Sequence, residues 1–266
     1  MFLQAGKGTG VIFFLEEAVK MDDLIYKSER KIASAYLDSK VKLGIAQALL
    51  LIQDNLTECF DMLKCDGVRY LDFNVFWVFT KARVKFVNRP CWREDIEAES
   101  FPISNAGFRT NVNTVFYKDG KPIILANQEA CVLDKEKHRP VKLTGLPFPK
   151  ENFPQPLYSE AFEKFDIDEQ LFQEVYTQQI RSQNIDMSGH MNNNEYVKLA
   201  LNVFSNDFLL NHEPDVMEVH FTGESKEGQI LSVKKAEKNG STFIKIFESE
   251  RCVFEMKISF VESKEA

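Results

Sequence analysis

The stretch Asn184-Ile185-Asp186-Met187-Ser188-Gly189-His190-Met191-Asn192-Asn193-Asn194-Glu195-Tyr196 puts an acid, a hydroxyl, an imidazole and several amides in one turn. That turn runs into a helix, because Tyr196, Leu199, Ala200, Val203 and Phe204 fall at i, i+3, i+4, i+7 and i+8. Asn192 or Asn193 is suited to cap the helix, and Gly189 permits the turn before it. The first N–H groups of a helix have no partner within it, so a carbonyl oxygen placed there is polarised. This is chemistry for attack on an acyl group. The same residues would also serve plain capping, with His190 as a satisfied structural histidine.

A second copy of the unit precedes it. Tyr36-Leu37-Asp38-Ser39-Lys40-Val41-Lys42-Leu43-Gly44 leads into a helical pattern at Ile45, Ala48, Leu49, Ile52, Leu56 and Phe60, with Asp38 in the place of Asp186 and Lys42 in that of His190. The segment mirrors Asn184 to Phe208, whose helical pattern runs unbroken from Tyr196 to Phe204. Alternating β-rich runs follow each helix: Phe73–Val87, Asp95–Ile103, Phe108–Tyr117 and Pro122–Leu133, then Val216–Phe221, Gln229–Ala236, Thr242–Glu248 and Cys252–Val261. Asp119-Gly120 and Asn239-Gly240 read as tight hairpin turns at matching places. Val84-Lys85-Phe86-Val87-Asn88-Arg89-Pro90 matches Val219-His220-Phe221-Thr222-Gly223-Glu224-Ser225, so Arg89 stands where the second copy has Glu224.

The pattern Asp186-x-x-Gly189-His190-x-Asn192-Asn193-x-x-Tyr196, with Glu224 beyond it, resembles the active-site segment of the acyl-acyl-carrier-protein thioesterases. In that family the aspartate is followed by a glutamate at the spacing that separates Asp186 from Glu224. Two departures stand out. Ser188 replaces a catalytic-site asparagine, and Ser225 replaces the cysteine of plant members, which removes a cysteine mechanism. The first half is similar to the family at Trp77 with its strand, at Pro90-Cys91-Trp92, and at Gly107-Phe108-Arg109. The resemblance implies an α+β fold of two tandem hotdog units, each a long helix packed against an antiparallel sheet.

The expected division is an N-terminal extension at 1–20, a first unit at 21–145 that has lost its catalytic groups and holds the acyl pocket, a linker at 146–168, and a catalytic second unit at 169–266. Pro147, Pro149, Pro154 and Pro156 keep the linker out of any central strand, while its aromatics favour packing onto the body. The activity implied is hydrolysis of fatty acyl-carrier-protein thioesters to free fatty acid, ending fatty acid synthesis. Acyl-CoA hydrolysis and non-catalytic acyl-thioester binding are the alternatives.

The catalytic set is Asp186, Ser188, His190 and Glu224, with Asn192, Asn193, Tyr196 and Trp77 toward the substrate. Either carboxylate suits water activation, the other then holding the histidine or acting as nucleophile. Ser188 as nucleophile is disfavoured, because no G-x-S-x-G elbow is present. Lys81, Arg83 and Lys85 alternate on one strand, and with Arg89, Arg93 and Arg109 they form the expected contact for an acidic carrier protein.

Net charge is −7, which disfavours generic nucleic-acid binding. Five cysteines without a C-x-x-C pair suit reduced thiols in the cytoplasm, and the four histidines lack metal-ligand spacing, so neither metal nor cofactor is expected. Gly6-Lys7-Gly8-Thr9-Gly10 lacks phosphate-loop spacing, and the run Val11 to Leu15 is too short for a signal or a membrane span. A homodimer is left open.

Overall fold

A computed structural model describes residues 21–158 and 161–263. The expected extension at 1–20 lies outside the described residues. The first half runs β1 (Tyr26–Lys31), α1 (Ile45–Met62), α2 (Gly67–Tyr70), β2 (Val75–Phe86), β3 (Asp95–Pro102), β4 (Arg109–Lys118), β5 (Lys121–Asp134) and β6 (Pro140–Val141). The second runs β7 (Gln173–Gln179), α3 (Asn193–Leu201), α4 (Asn206–Asn211), β8 (His212–Phe221), β9 (Ile230–Lys238), β10 (Ser241–Glu248) and β11 (Arg251–Glu262).

The strands form one sheet in the order β1-β3-β4-β5-β2-β8-β11-β10-β9-β7, with β6 pairing β5. Read outward from the centre, the two halves have the same order. They meet where β2 pairs antiparallel with β8, Lys81 opposite His220 and Lys85 opposite Val216. The sheet is antiparallel at every junction; hairpins join β3 to β4 to β5 and β9 to β10 to β11, while β2 to β3 and β8 to β9 are crossovers. Asp119-Gly120 and Asn239-Gly240 both have positive φ at both residues, as tight right-twisting hairpins require.

Alternation decides which face is covered. On β2, Ala82, Val84 and Phe86 point at the helices and join a core with Leu49 and Ile52 of α1 and Val197 and Ala200 of α3. Lys81, Arg83 and Lys85 take the opposite face. Part of that outer face is roofed by the segment after β6. The backbone N–H of Glu163 donates to Glu218 at 2.8 Å, and Phe165 stacks on His220 at 4.3 Å between ring centroids. A second core cluster lies beyond the C-terminal end of α1, where Phe60, Tyr70 and Phe148 pack with Trp77.

Three expectations change. The helix of the second half stops at Leu201: Asn202 caps α3, and Ser205 starts α4 by accepting from the Phe208 N–H. Polar Asn202 and Ser205 favour caps over helix interiors, which breaks a continuous 3.6-residue pattern into two short helices. The edge strands β1 and β7 were missed as well, because their residues are mostly polar and charged.

The third concerns the basic residues of β2 and beyond. Arg83 is 2% exposed and paired with Glu218, and Arg89 is 4% exposed and held by Asp38 and Glu213. Lys85 pairs with Asp215, Arg109 with Glu129, Lys81 sits over the Phe162 ring, and Arg93 stacks on Trp92. Buried guanidinium groups need carboxylate partners, so the outer face of β2 is an internal ion-pair seam and not an open basic surface.

Lys40, Lys42 and Arg89 of the first half converge on Glu213 of the second. Burial alone would raise the Glu213 carboxyl; hydrogen bonds from Lys40 and Arg89 overcome it and hold the group at about 2, against a usual 4.5. A depressed folded-state value stabilises the fold above the unfolded pKa and loses that stability as pH falls toward 2. Denaturant melts between pH 6 and pH 2.5 should show this loss, and Glu213→Gln should show a smaller one. At neutral pH, Glu213→Ala should cost about 3 kcal/mol, because Arg89 is left buried with half its partners gone.

Candidate active site

The loop before α3 is built twice, with the same backbone hydrogen bonds and different side chains. In the second half the Asp186 N–H donates to His190 O at 2.9 Å and the Ser188 N–H to Asp186 Oδ1 at 2.8 Å. The Met191 N–H then donates to Ser225 O at 2.8 Å, and that of Asn192 to Asn184 O at 2.9 Å. In the first half the same roles fall to Asp38 and Lys42 O at 2.9 Å, Lys40 and Asp38 Oδ1 at 2.9 Å, Leu43 and Pro90 O at 2.8 Å, and Gly44 and Tyr36 O at 2.9 Å. The bond to Ser225 puts Glu224 beside the catalytic loop, and the bond to Pro90 puts Arg89 at the matching point. Gly189 has φ +78°, and Val41 meets the same demand at φ +60°.

The chemistry differs completely. In the second half four side chains form one chain of contacts. Ser188 Oγ donates to Asp186 Oδ1 at 2.5 Å and lies 3.4 Å from His190 Nδ1, while His190 Nε2 lies 3.3 Å from Glu224 Oε2. A carboxylate facing Nε2 favours the tautomer with its proton there; because Ser188 gives its one hydroxyl proton to Asp186, Nδ1 meets Ser188 Oγ as a close polar contact. The site is open: the His190 side chain is 22% exposed and that of Glu224 is 44% exposed. In the first half Lys42, Lys40 and Arg89 replace the imidazole, hydroxyl and carboxylate, and all three cations are tied to Glu213.

Asn192 is the cap of α3, its side chain accepting from the Asn194 N–H at 2.8 Å, and Asn193 is the first helical residue. Tyr196, expected at the substrate, is a core residue at 2% exposure, stacked on Phe254 with centroids 5.8 Å apart. Its position one turn into α3 turns the ring onto the sheet. Burial raises its phenol pKa, partly opposed by Ser225. Trp77 is wedged between Phe60 and Tyr70, and its indole N–H donates to Cys65 O at 2.7 Å.

Two contributors had no signal in the linear sequence. Arg251 donates from Nη2 to Glu224 O at 2.7 Å, and Asn184 Nδ2 donates to Glu195 Oε2 at 2.8 Å, tying the loop to the helix. Arg251 reaches the site only because β8 and β11 pair.

Residues 167–262 match the family model described as acyl-ACP thioesterase C-terminal domain. The second half of the chain thus carries the C-terminal domain of acyl-ACP thioesterases. An acyl-ACP thioesterase from Bacteroides thetaiotaomicron superposes with a TM-score of 0.83 at 16% identity, covering 91% of this chain and 100% of that one. The 12:0-ACP thioesterase from Umbellularia californica gives a TM-score of 0.78 at 12% identity, covering 90% and 98% respectively. At such identities these likenesses speak for the fold, which is the α+β hotdog arrangement expected. No curated protein matches the chain in sequence. Among the described residues no helix is long and apolar enough to cross a membrane.

Loss of the cap isolates the contribution of the loop frame. Asn192→Ala should lower stability by about 1 kcal/mol, measured by urea unfolding, since one N–H at the start of α3 loses its acceptor.

Proposed function

We propose that this protein hydrolyses fatty acyl groups from an acyl-carrier protein at a single site made by Asp186, Ser188, His190 and Glu224. The observation that carries this reading is the unbroken chain Asp186–Ser188–His190–Glu224 at the N-terminal end of α3. Glu224, the solvent-facing end of that chain, accepts a proton from water as the water attacks the thioester carbonyl. The carbonyl oxygen takes up negative charge against the Asn193 N–H, which the cap leaves open while the Asn194 and Glu195 N–H groups bond to Asn192. The tetrahedral intermediate then expels the thiolate of the carrier arm, and the proton returns from Glu224 to sulfur. His190 aligns the carboxylate through Nε2–H, while Asp186 and Ser188 steady the ring from its other side. Ser188 thus fills the place of the family's asparagine by bridging two groups.

The division of labour follows the duplication. The first half is assigned the acyl pocket, on the side where Phe60, Tyr70, Trp77 and Phe148 form a packed aromatic cluster, and the second half the reacting groups. The aromatics lie at the end of β2 that faces Glu224, which suits an acyl chain leaving the site toward the first half. Five unpaired cysteines suit a reducing cytoplasm, and burial pushes the Cys59 thiol up to about 12, far from thiolate chemistry.

Single-turnover and steady-state assays on acyl-carrier protein test the reading. Glu224→Gln and His190→Ala should each cut kcat by about 10²–10⁴-fold with substrate binding retained. Ser188→Ala should lower kcat less than either, and Lys42→Met should leave it unchanged. The same acyl group on CoA should turn over more slowly. Near-normal hydrolysis by folded Glu224→Gln, or a preference for CoA, refutes the assignment.

A further inference from the structure

The outer face of β2 is spent on internal ion pairs, so an acidic partner must be met elsewhere. The hairpin joining β5 to β6 has the required chemistry. Lys135, Lys137 and Arg139 of the hairpin and Lys142 just after β6 are all exposed, and none is drawn into an ion pair among the described residues, Lys142 lying over the Phe108 ring. They stand against two local carboxylates, Asp134 and Glu136. Asp134 is already engaged, accepting from the backbone N–H groups of Glu136 and Lys137, which hold its carboxyl below the usual range. In a chain of net charge −7 this hairpin is a local reversal of sign.

Apolar surface lies directly beside it. Leu71 and Phe73 are 54% and 49% exposed, and the next residue, Asn74, accepts the Lys135 N–H at 2.9 Å. Basic groups around exposed apolar side chains suit a docked protein surface: apolar contact at the centre and charge at the rim. The topology also places this face at the mouth of the site. β8 ends toward Glu224, β2 begins at that same end with Val75, and Val75 pairs with Asp134 at the end of β5. Two strand spacings, roughly 10 Å, separate β5 from β8.

We infer that the β5–β6 hairpin, with Leu71 and Phe73, is the docking surface for an acidic carrier protein whose thioester-bearing arm enters at Glu224. This rests on the carrier-dependent reading above and names where that partner sits. Long-range attraction to four unpaired cations speeds encounter and selects against the acidic remainder of this chain's own surface.

The test compares one acyl group on two carriers, acyl-carrier protein and the short pantetheine thioester, which lacks a protein surface. Lys137→Glu/Arg139→Glu should raise KM for the acyl-carrier protein by about tenfold, with kcat unchanged. KM for acyl-pantetheine should not move. Lys121→Glu, a reversal at the far end of β5, should change neither. Binding of holo-carrier protein to the full chain, followed by titration calorimetry, should weaken with added salt and with the double variant. If the wild-type chain hydrolyses acyl-carrier protein and binds the carrier, but the double variant does so equally well, the docking surface is refuted and the function stands. If the wild-type chain turns over acyl-pantetheine yet shows neither carrier binding nor carrier turnover, the carrier reading falls and the docking surface with it.

Discussion

The backbone ladder between β2 and β8 is the constraint on which the rest of the molecule depends. Five residue pairs, from Lys81–His220 to Lys85–Val216, turn two half-sheets into one surface and give α1 and α3 a shared core. Antiparallel pairing at this junction has a geometric consequence. The two helix-start loops, which are equivalent by duplication, are sent to opposite ends of the central strands. One meets Glu213 at the beginning of β8, and the other meets Glu224 just past its end. The junction also explains why Arg83 and Glu218 are buried together, since facing residues at the centre of a covered sheet must satisfy each other.

Duplication has preserved backbone and released side chains. The same N–H groups bond the same carbonyls in both loops, so the frame that positions a catalytic group exists twice. At one end the frame carries an imidazole between two carboxylates, partly open to solvent. At the other it carries three cations around one glutamate, which joins the halves and binds no open surface. A frame of this kind is indifferent to what it presents, and the charges decide the outcome. Opposite charges collapse into a closed cluster, whereas an imidazole 3.4 Å from a hydroxyl and 3.3 Å from a carboxylate leaves groups available to water and substrate.

The sequence by itself determined the repeated helix-start loop, the two hairpin turns and the central strands. Each rests on local physics: 3.6-residue and two-residue periodicity, asparagine capping, and glycine or asparagine where φ must be positive. It also matched Arg89 to Glu224, because the alternating run at 84–90 repeats the pattern at 219–225. Edge strands β1 and β7 were not legible, since strands with little apolar alternation owe their state to a neighbour's ladder. The break between α3 and α4 was hidden as well, because apolar spacing continues across Asn202 and Ser205. Only the tertiary structure decided which charges are free. Lys81, Arg83 and Lys85 alternate as a surface row should, yet β8 and the segment after β6 supply partners from more than 70 residues away. Lys135, Lys137, Arg139 and Lys142 look like an ordinary charged turn and remain unpaired because no acidic element packs against them. Burial and ion pairing depend on what another strand brings, and a linear pattern carries no record of that.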